Sequence, residues 1–350
     1  MALKKLLRTK ETFMAKMITR DPKTLEGYTH TLQNFENYCM EKTGKVDCIE
    51  DLKKFDETDL FEFLQGWINQ NHDRAPRTVK NYFSQVKKYL HYRGIKLHPQ
   101  DIKEELDFRR NMQEDLYGLS LEDIQTILKP LRYKHRVQFL CQLSGLMRVG
   151  ETVQLRKKHL DGSGLNIIVK IPPTIAKFKK GRTTFFSKEA SRLLRPILRK
   201  LDDDDLVFGT NENHIFSELN VEQIMRRTLK KVGLDMRYES NNRFMINTHS
   251  FRAYGITKVS RHDSNFAKKL AGQKGYLDEY DRMTDAEKLE LYQKIESDLT
   301  IDDTAKLKAE NDKLQEERKE IDELREMANM DRKLIEKLME RLDLKLDKKE

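Results

Sequence analysis

The sequence predicts a mainly α-helical, two-domain protein with a small β-hairpin or sheet in the second domain and a long helix at the C-terminal end. Three observations predict it. Apolar residues recur at three- and four-residue spacing through most of the chain. One stretch, residues 165 to 186, reads instead as strands around a basic turn. From Asp302 onward the apolar residues fall at seven-residue intervals in a segment rich in Glu, Lys and Leu. At 350 residues the chain is long enough for two cores.

Residues 1 to 95 form the first, helical domain. In PKTLEGYTHTLQNFENYCMEK, Leu25, Tyr28, Leu32, Phe35 and Cys39 mark one amphipathic helix. ETDLFEFLQGWINQN gives a second, with Thr58 as its candidate N-cap. RTVKNYFSQVKKYLHYRG gives a third: Val79, Phe83, Val86 and Leu90 are its apolar stripe, and Gly94 ends it. Arg77, Lys80, Ser84, Lys87 and Lys88 occupy its other faces. Such a stripe of cations can lie along phosphates, and a solvated face accounts for it nearly as well.

Residues 96 to 118, charged and Pro-containing, are the expected linker, and residues 119 to 301 the second domain. LSLEDIQTILKPL opens that domain with Ser120 as N-cap and an acidic first turn. Residues 135 to 160 read as helix, and residues 219 to 300 as mostly helix. The run DDDD at 202 to 205 suggests metal ligands; with LVF directly after it, a solvated turn before a short strand is the better reading. In the tail, 302 to 350, Leu307, Leu314, Ile321, Ala328, Ile335 and Leu342 keep the heptad, but Asn311, Arg318 and Arg325 spoil the second stripe. A coiled coil and a lone helix folded back on the domain both fit.

Net charge is +9, unevenly spread. The tail carries 13 Lys or Arg against 16 Asp or Glu, which leaves residues 1 to 301 at +12, the profile of a chain that meets polyanions. Cys39, Cys48 and Cys141 are too few and scattered for a disulfide framework or a zinc site, so they are taken as packing residues in a reducing cytoplasm. No apolar run is long enough to span a bilayer. The opening MALKKLLRTKETF lacks the apolar core and cleavage site of a signal peptide.

Four separated pieces carry the chemistry. In LSGLMRVGETVQL, Arg148 follows a Ser-Gly turn in an otherwise apolar helix, with Glu151 three residues on; taken alone, this is a helix-face ion pair. IPPTIAKFKKGRTTFFS would hold Lys177 or Lys179 out on a hairpin, as many surface hairpins do. In NTHSFRAYG, with Thr248 as candidate N-cap, His249 and Arg252 share a face near a helix start, a place that favours anions. LAGQKGYLDEYDRM carries two tyrosines, Tyr276 and Tyr280, four apart. A free tyrosine has a pKa near 10 and needs partners to react.

Together, in this order within one basic domain, the pieces resemble the tyrosine recombinase (phage-type integrase) family, over roughly Thr24 to Thr300. SGLMRVGETVQL is similar to the family's first arginine motif, with its acidic residue at Glu151. AKFKKGRTTF resembles the β-hairpin with Lys177 in the catalytic lysine position, and THSFRAYG the HxxR box. The Lys- and Tyr-rich style of LAGQKGYLDEYDRM is closer to archaeal and archaeal-virus integrases. The first domain then resembles the family's DNA-clamping core-binding domain, and the second its mixed α+β catalytic domain. Where the family has His or Trp, this chain has Gln273, which can donate a hydrogen bond but cannot carry a proton; Lys274 beside it is a substitute.

The resemblance implies a recombinase acting through a 3′-phosphotyrosyl intermediate without metal, ATP or other cofactor. Its site would be Arg148, Lys177, His249, Arg252, Gln273 and the nucleophile, with Glu151 behind Arg148. Tyr280, seven residues past Gln273, fits the nucleophile's spacing better than Tyr276 or Tyr292, and Tyr292 sits on a core-like helical pattern. DNA contacts would come from Arg77, Lys80, Lys87, Lys88, Lys179, Lys180, Arg182 and Lys274. The partner is double-stranded DNA with attachment-type sites. The assembly is a homotetramer on it, and the place is the cytoplasm, at the nucleoid when DNA is bound. The alternatives are a non-catalytic architectural protein on the same scaffold and a metal-dependent nuclease using residues 202 to 205.

Overall fold

The computed structural model describes residues 7–20, 22–110, 114–273 and 283–302, and in the tail 314–315, 318–319, 321–322 and 324–330. The chain divides into two compact units, residues 1–115 and 116–350.

The first unit is helical: α1 (Lys10–Ala15), α2 (Pro22–Thr43), α3 (Ile49–Leu52), α4 (Glu57–Gln70), α5 (Pro76–Arg93) and α6 (Pro99–Glu105). The apolar stripes expected of α2, α4 and α5 meet in one core, where Leu32, Phe35, Leu64, Trp67, Val79, Phe83, Val86 and Leu90 are all buried. Trp67 stands edge-on to Phe35 at 5.5 Å, and its indole N–H donates to Asn34 at 2.9 Å, so its one polar atom is satisfied. α5 ends at Gly94, whose φ of 104° is in the region glycine enters without a Cβ penalty. α4 starts two residues earlier than a Thr58 cap requires, because the Asp56 carboxylate accepts from Asp59 N at 2.8 Å. α6 lies within the stretch expected to be a linker. Cys39 and Cys48 meet sulfur to sulfur with Cα atoms 5.8 Å apart, within disulfide reach, where the sequence pointed to packing alone.

The second unit contains α7 (Leu121–Leu128), α8 (Tyr133–Ser144), α9 (Val149–Val153), β1 (Leu160–Asp161), β2 (Ile168–Ile171), β3 (Arg182–Phe185), α10 (Lys188–Leu198), α11 (His214–Val232), α12 (Thr248–Ser260), α13 (Ser264–Ala271) and α14 (Asp285–Ile295). The strands form an antiparallel sheet in the order β1-β2-β3, with β2 and β3 in register from Ile168↔Phe185 to Ile171↔Arg182. Ser120 caps α7 as expected, in a reciprocal box with Asp123. α8 is the central helix, buried from Val137 to Ser144. α12 crosses it closely because residue 255 is glycine: a Cβ there would lie 2.4 Å from the Leu143 carbonyl oxygen.

The helix expected over 135 to 160 is interrupted. α8 stops at Ser144, Leu146 takes a φ of 50°, and helix resumes only at Val149. Tertiary bonds replace the lost helical ones: Thr184 of β3 donates to the Gly145 carbonyl at 2.9 Å, and Arg252 of α12 donates to that of Leu146. Residues 202 to 205 form a turn, with Asp202 N bonded to the Asp205 carboxylate at 2.7 Å and Asp204 paired with Lys158. Among the described residues, no group of three or more His, Cys, Asp or Glu is placed to hold a metal ion. Nor is any described helix long and apolar enough to cross a membrane. The described tail residues are helical and exposed.

Candidate active site

The break between α8 and α9 is what positions Arg148. It sits in extended backbone (φ −76°, ψ 150°) as the residue before α9, with its side chain partly exposed. Glu151, one turn into α9 and 2 % exposed, accepts from the Arg148 backbone N at 2.9 Å and from its Nη1 at 3.1 Å. The same carboxylate takes two parallel bonds from Arg182, Nη1 to Oε1 at 3.0 Å and Nη2 to Oε2 at 2.6 Å. Nη1 of Arg252 stands 4.0 Å from Oε2. One carboxylate therefore serves three guanidiniums. Burial alone would raise its pKa, but the Arg182 and Arg148 bonds outweigh burial and hold it below the usual carboxylate value.

α12 presents His249 and Arg252. Its N-cap is Asn247 rather than Thr248, because the Asn247 side chain reaches His249 N at 2.8 Å. Gln142 of α8 donates to the Thr248 carbonyl at 2.8 Å, and the Phe139 and Phe251 rings stack 5.0 Å apart, so the helix start is held against the core. Arg252 is 1 % exposed; besides Leu146, it donates through Nη2 to Ala271 at 2.7 Å. Arg182 Nε donates to the neighbouring Leu270 carbonyl at 2.8 Å. These are the last carbonyls of α13, which no helical N–H can satisfy, and the helix end favours cations. Burial, then the charge of Arg148, pushes the Arg252 pKa down to about 9 against the pull of Glu151, which leaves it a cation at neutral pH.

The β2–β3 connection carries the lysines. Lys177 is exposed, and the neighbouring Phe178 lays its ring 5.4 Å from the Arg148 guanidinium carbon, a cation–π contact. Lys179 has a φ of 54°, and its ammonium donates to Thr174 at 3.2 Å. At the exposed start of α12, partial burial and then the charges of Arg252, Arg148 and Lys177 push the His249 pKa below its ordinary 6.5. His249 is thus neutral at pH 7 and able to accept a proton. If it acts as a base, the rate at limiting DNA should stay flat down to about pH 6.5 and fall only below it. That acid limb should disappear in His249→Asn; a limb centred above pH 7, measured across a pH series of strand cleavage, would contradict the role.

The structure thus brings Arg148, Glu151, Lys177, His249 and Arg252 together. Tyr276, Tyr280 and Lys274 lie outside the described residues. Gln273 is exposed immediately after Gly272, the left-handed end of α13. Tyr292 is fully buried and donates to the Ser144 carbonyl at 3.0 Å, a core role. Arg182, expected to contact DNA, instead turns inward; its side chain is 8 % exposed. Its bond to Glu151 spans 31 residues, and no spacing in the sequence signals it. In the first unit, Arg77, Lys80 and Lys88 are exposed on α5 and Lys87 is half-buried. Lys80 and Lys88 rest near the rings of Phe108 and Tyr28, each at 5.9 Å.

Residues 113–272 match the model of the phage integrase family. No curated protein matches the chain. Many solved structures share the fold, among them the following three. The Tn1549 transposon integrase in complex with transposon right end DNA is 14% identical over 81% of this chain and 97% of its own, with a TM-score of 0.55. XerH site-specific recombinase bound to palindromic difH substrate is 19% identical over 76% and 77%, at 0.53. A lambda integrase dimer bound to a COC′ core site is 14% identical over 79% and 97%, at 0.52. The second unit therefore has the tyrosine recombinase catalytic-domain fold.

Proposed function

We propose that the chain is a site-specific DNA recombinase that cuts and rejoins duplex DNA through a 3′-phosphotyrosyl intermediate, with Tyr280 as nucleophile. The observation that carries this reading is the grouping of two braced guanidiniums, a neutral imidazole and a lysine-bearing loop at one place. The family match over 113–272 and the DNA-bound neighbours of the same fold support it.

Tyr280 Oη attacks the scissile phosphorus and its proton passes to His249. The P–O5′ bond breaks, and Lys177 protonates the departing 5′ oxygen. Arg148 and Arg252 hold the non-bridging oxygens, where charge gathers in the transition state. The phosphotyrosyl bond stores the energy of the broken linkage, so a 5′-hydroxyl from a partner strand can reverse the step. The exposed Arg77, Lys80 and Lys88 of α5 serve the duplex backbone, and exchange between two duplexes calls for four protomers on DNA.

The test is relaxation of a supercoiled plasmid carrying the gene's own flanking DNA, in EDTA, for wild type beside Tyr280→Phe. Relaxation should vanish in the variant, and the covalent peptide from wild type should contain Tyr280. An adduct on Tyr276 would keep the chemistry and move the nucleophile. DNA binding with neither relaxation nor adduct would leave an architectural protein on this fold.

A further inference from the structure

We infer that Arg182 is a positioning residue for strand cleavage: it braces Arg148 through Glu151, and it fixes the end of α13 from which the chain runs to the tyrosine segment. The inference rests on the recombinase reading above. Arg182 stands on β3 directly after the Lys-rich loop, where the sequence suggested a phosphate contact. Its guanidinium is already committed. Nη1 and Nη2 clasp the two oxygens of Glu151, and Nε donates to Leu270 at 2.8 Å. Two residues along the strand, and so on the same face, Thr184 holds the Gly145 carbonyl at 2.9 Å. β3 thus grips both sides of the break that presents Arg148.

Glycine at 272 completes the fit. Its φ is 62°, and a Cβ there would lie 2.8 Å from Arg182 Cδ and 2.9 Å from its Nη1. The guanidinium therefore occupies space that only glycine leaves open, eight residues before Tyr280. Arg182 and Arg252 bond the adjacent carbonyls Leu270 and Ala271, so one helix end registers both arginines against the same frame. Lysine at 182 keeps the charge, but it has no planar fork to make the three bonds together.

The experiment compares wild type, Arg182→Lys, Glu151→Gln and the double variant. It reads plasmid relaxation and the salt dependence of binding to a duplex of the flanking DNA. Arg182→Lys should relax DNA roughly 100-fold more slowly, the cost of a misplacement on the order of 1 Å. The salt slope should not change. In the Glu151→Gln background the same substitution should add well below its full effect, because the contact to Glu151 is shared while the one to Leu270 is not. Gly272→Ala, which displaces the guanidinium without removing it, should reproduce the slowed relaxation at unchanged slope, and it substitutes for Arg182→Lys if that variant does not fold. A slope lowered by about one would make Arg182 a phosphate contact and overturn the inference. So would losses that multiply in full in the double variant while wild type is active. A wild type that binds DNA but neither relaxes it nor forms an adduct would remove the recombinase reading itself, and this inference with it.

Discussion

Arg252→Lys is expected to lose strand cleavage by roughly 1,000-fold, the upper range for removing a preorganised donor from a developing oxyanion. The protein should still bind DNA. Arg252 is asked to do two things at once. One N–H of Nη1 goes to Leu146 and one of Nη2 goes to Ala271. Two of the five N–H donors of its guanidinium are thus committed to carbonyls, and the proposed phosphate would draw on the others. Lysine has three donors on one nitrogen and cannot span both carbonyls while facing a substrate. Whichever carbonyl it abandons is left buried without a donor, at a further cost of about 1–3 kcal/mol in stability. The yield of covalent adduct on the flanking DNA and a denaturant titration of the same variant read the two effects separately. Cleavage within tenfold of wild type would show that the fork is not needed at the phosphate.

The helices could be read from the sequence because each announces itself locally. The α5 stripe with its Gly94 stop and the Ser120 cap depend on neighbours within a few residues. What escaped was decided at a distance. LSGLMRVGETVQL has the apolar content of one helix, and it breaks because Thr184 and Arg252, 39 and 106 residues away, take the carbonyls of Gly145 and Leu146. Arg148 and Glu151 were recognisable as a pair. That Glu151 also holds Arg182 was not, since an arginine opening a strand after a Lys-Gly turn looks solvent-facing until its acceptor is known. The caps shifted for a smaller reason: Asp56, two residues before Thr58, and Asn247, one before Thr248, reach the free N–H groups first. Nothing in the basic hairpin's sequence singles out Phe178, whose ring lies against Arg148.

Glu151→Ala is expected to cost about 3–5 kcal/mol of folding stability, the range for breaking a buried ion pair from one side. That is a large share of the roughly 5–15 kcal/mol that holds a typical domain together. The reason is what remains behind. Arg182 and Arg252, with side chains 8 % and 1 % exposed, would keep their charges with the shared carboxylate gone. They stand close enough to repel each other and Arg148. The pH dependence follows with a definite sign. The Glu151 pKa is held below its ordinary 4.5, so its contribution is complete above that value and fades as pH falls through the lower folded-state pKa. Glu189 and Glu296 have pKa values raised by burial and act in the opposite direction, so the informative quantity is a difference. Urea unfolding of wild type and Glu151→Gln should show a gap that is full at pH 7 and narrows only below about pH 4.5. A gap that stayed constant into acid would mean that the carboxyl titrates alike in the folded and unfolded chains, and one that widened would mean that it is protonated in the folded protein. Two arginines could then not be held so deep beside a third, because the buried Glu151 carboxylate is the charge set against them.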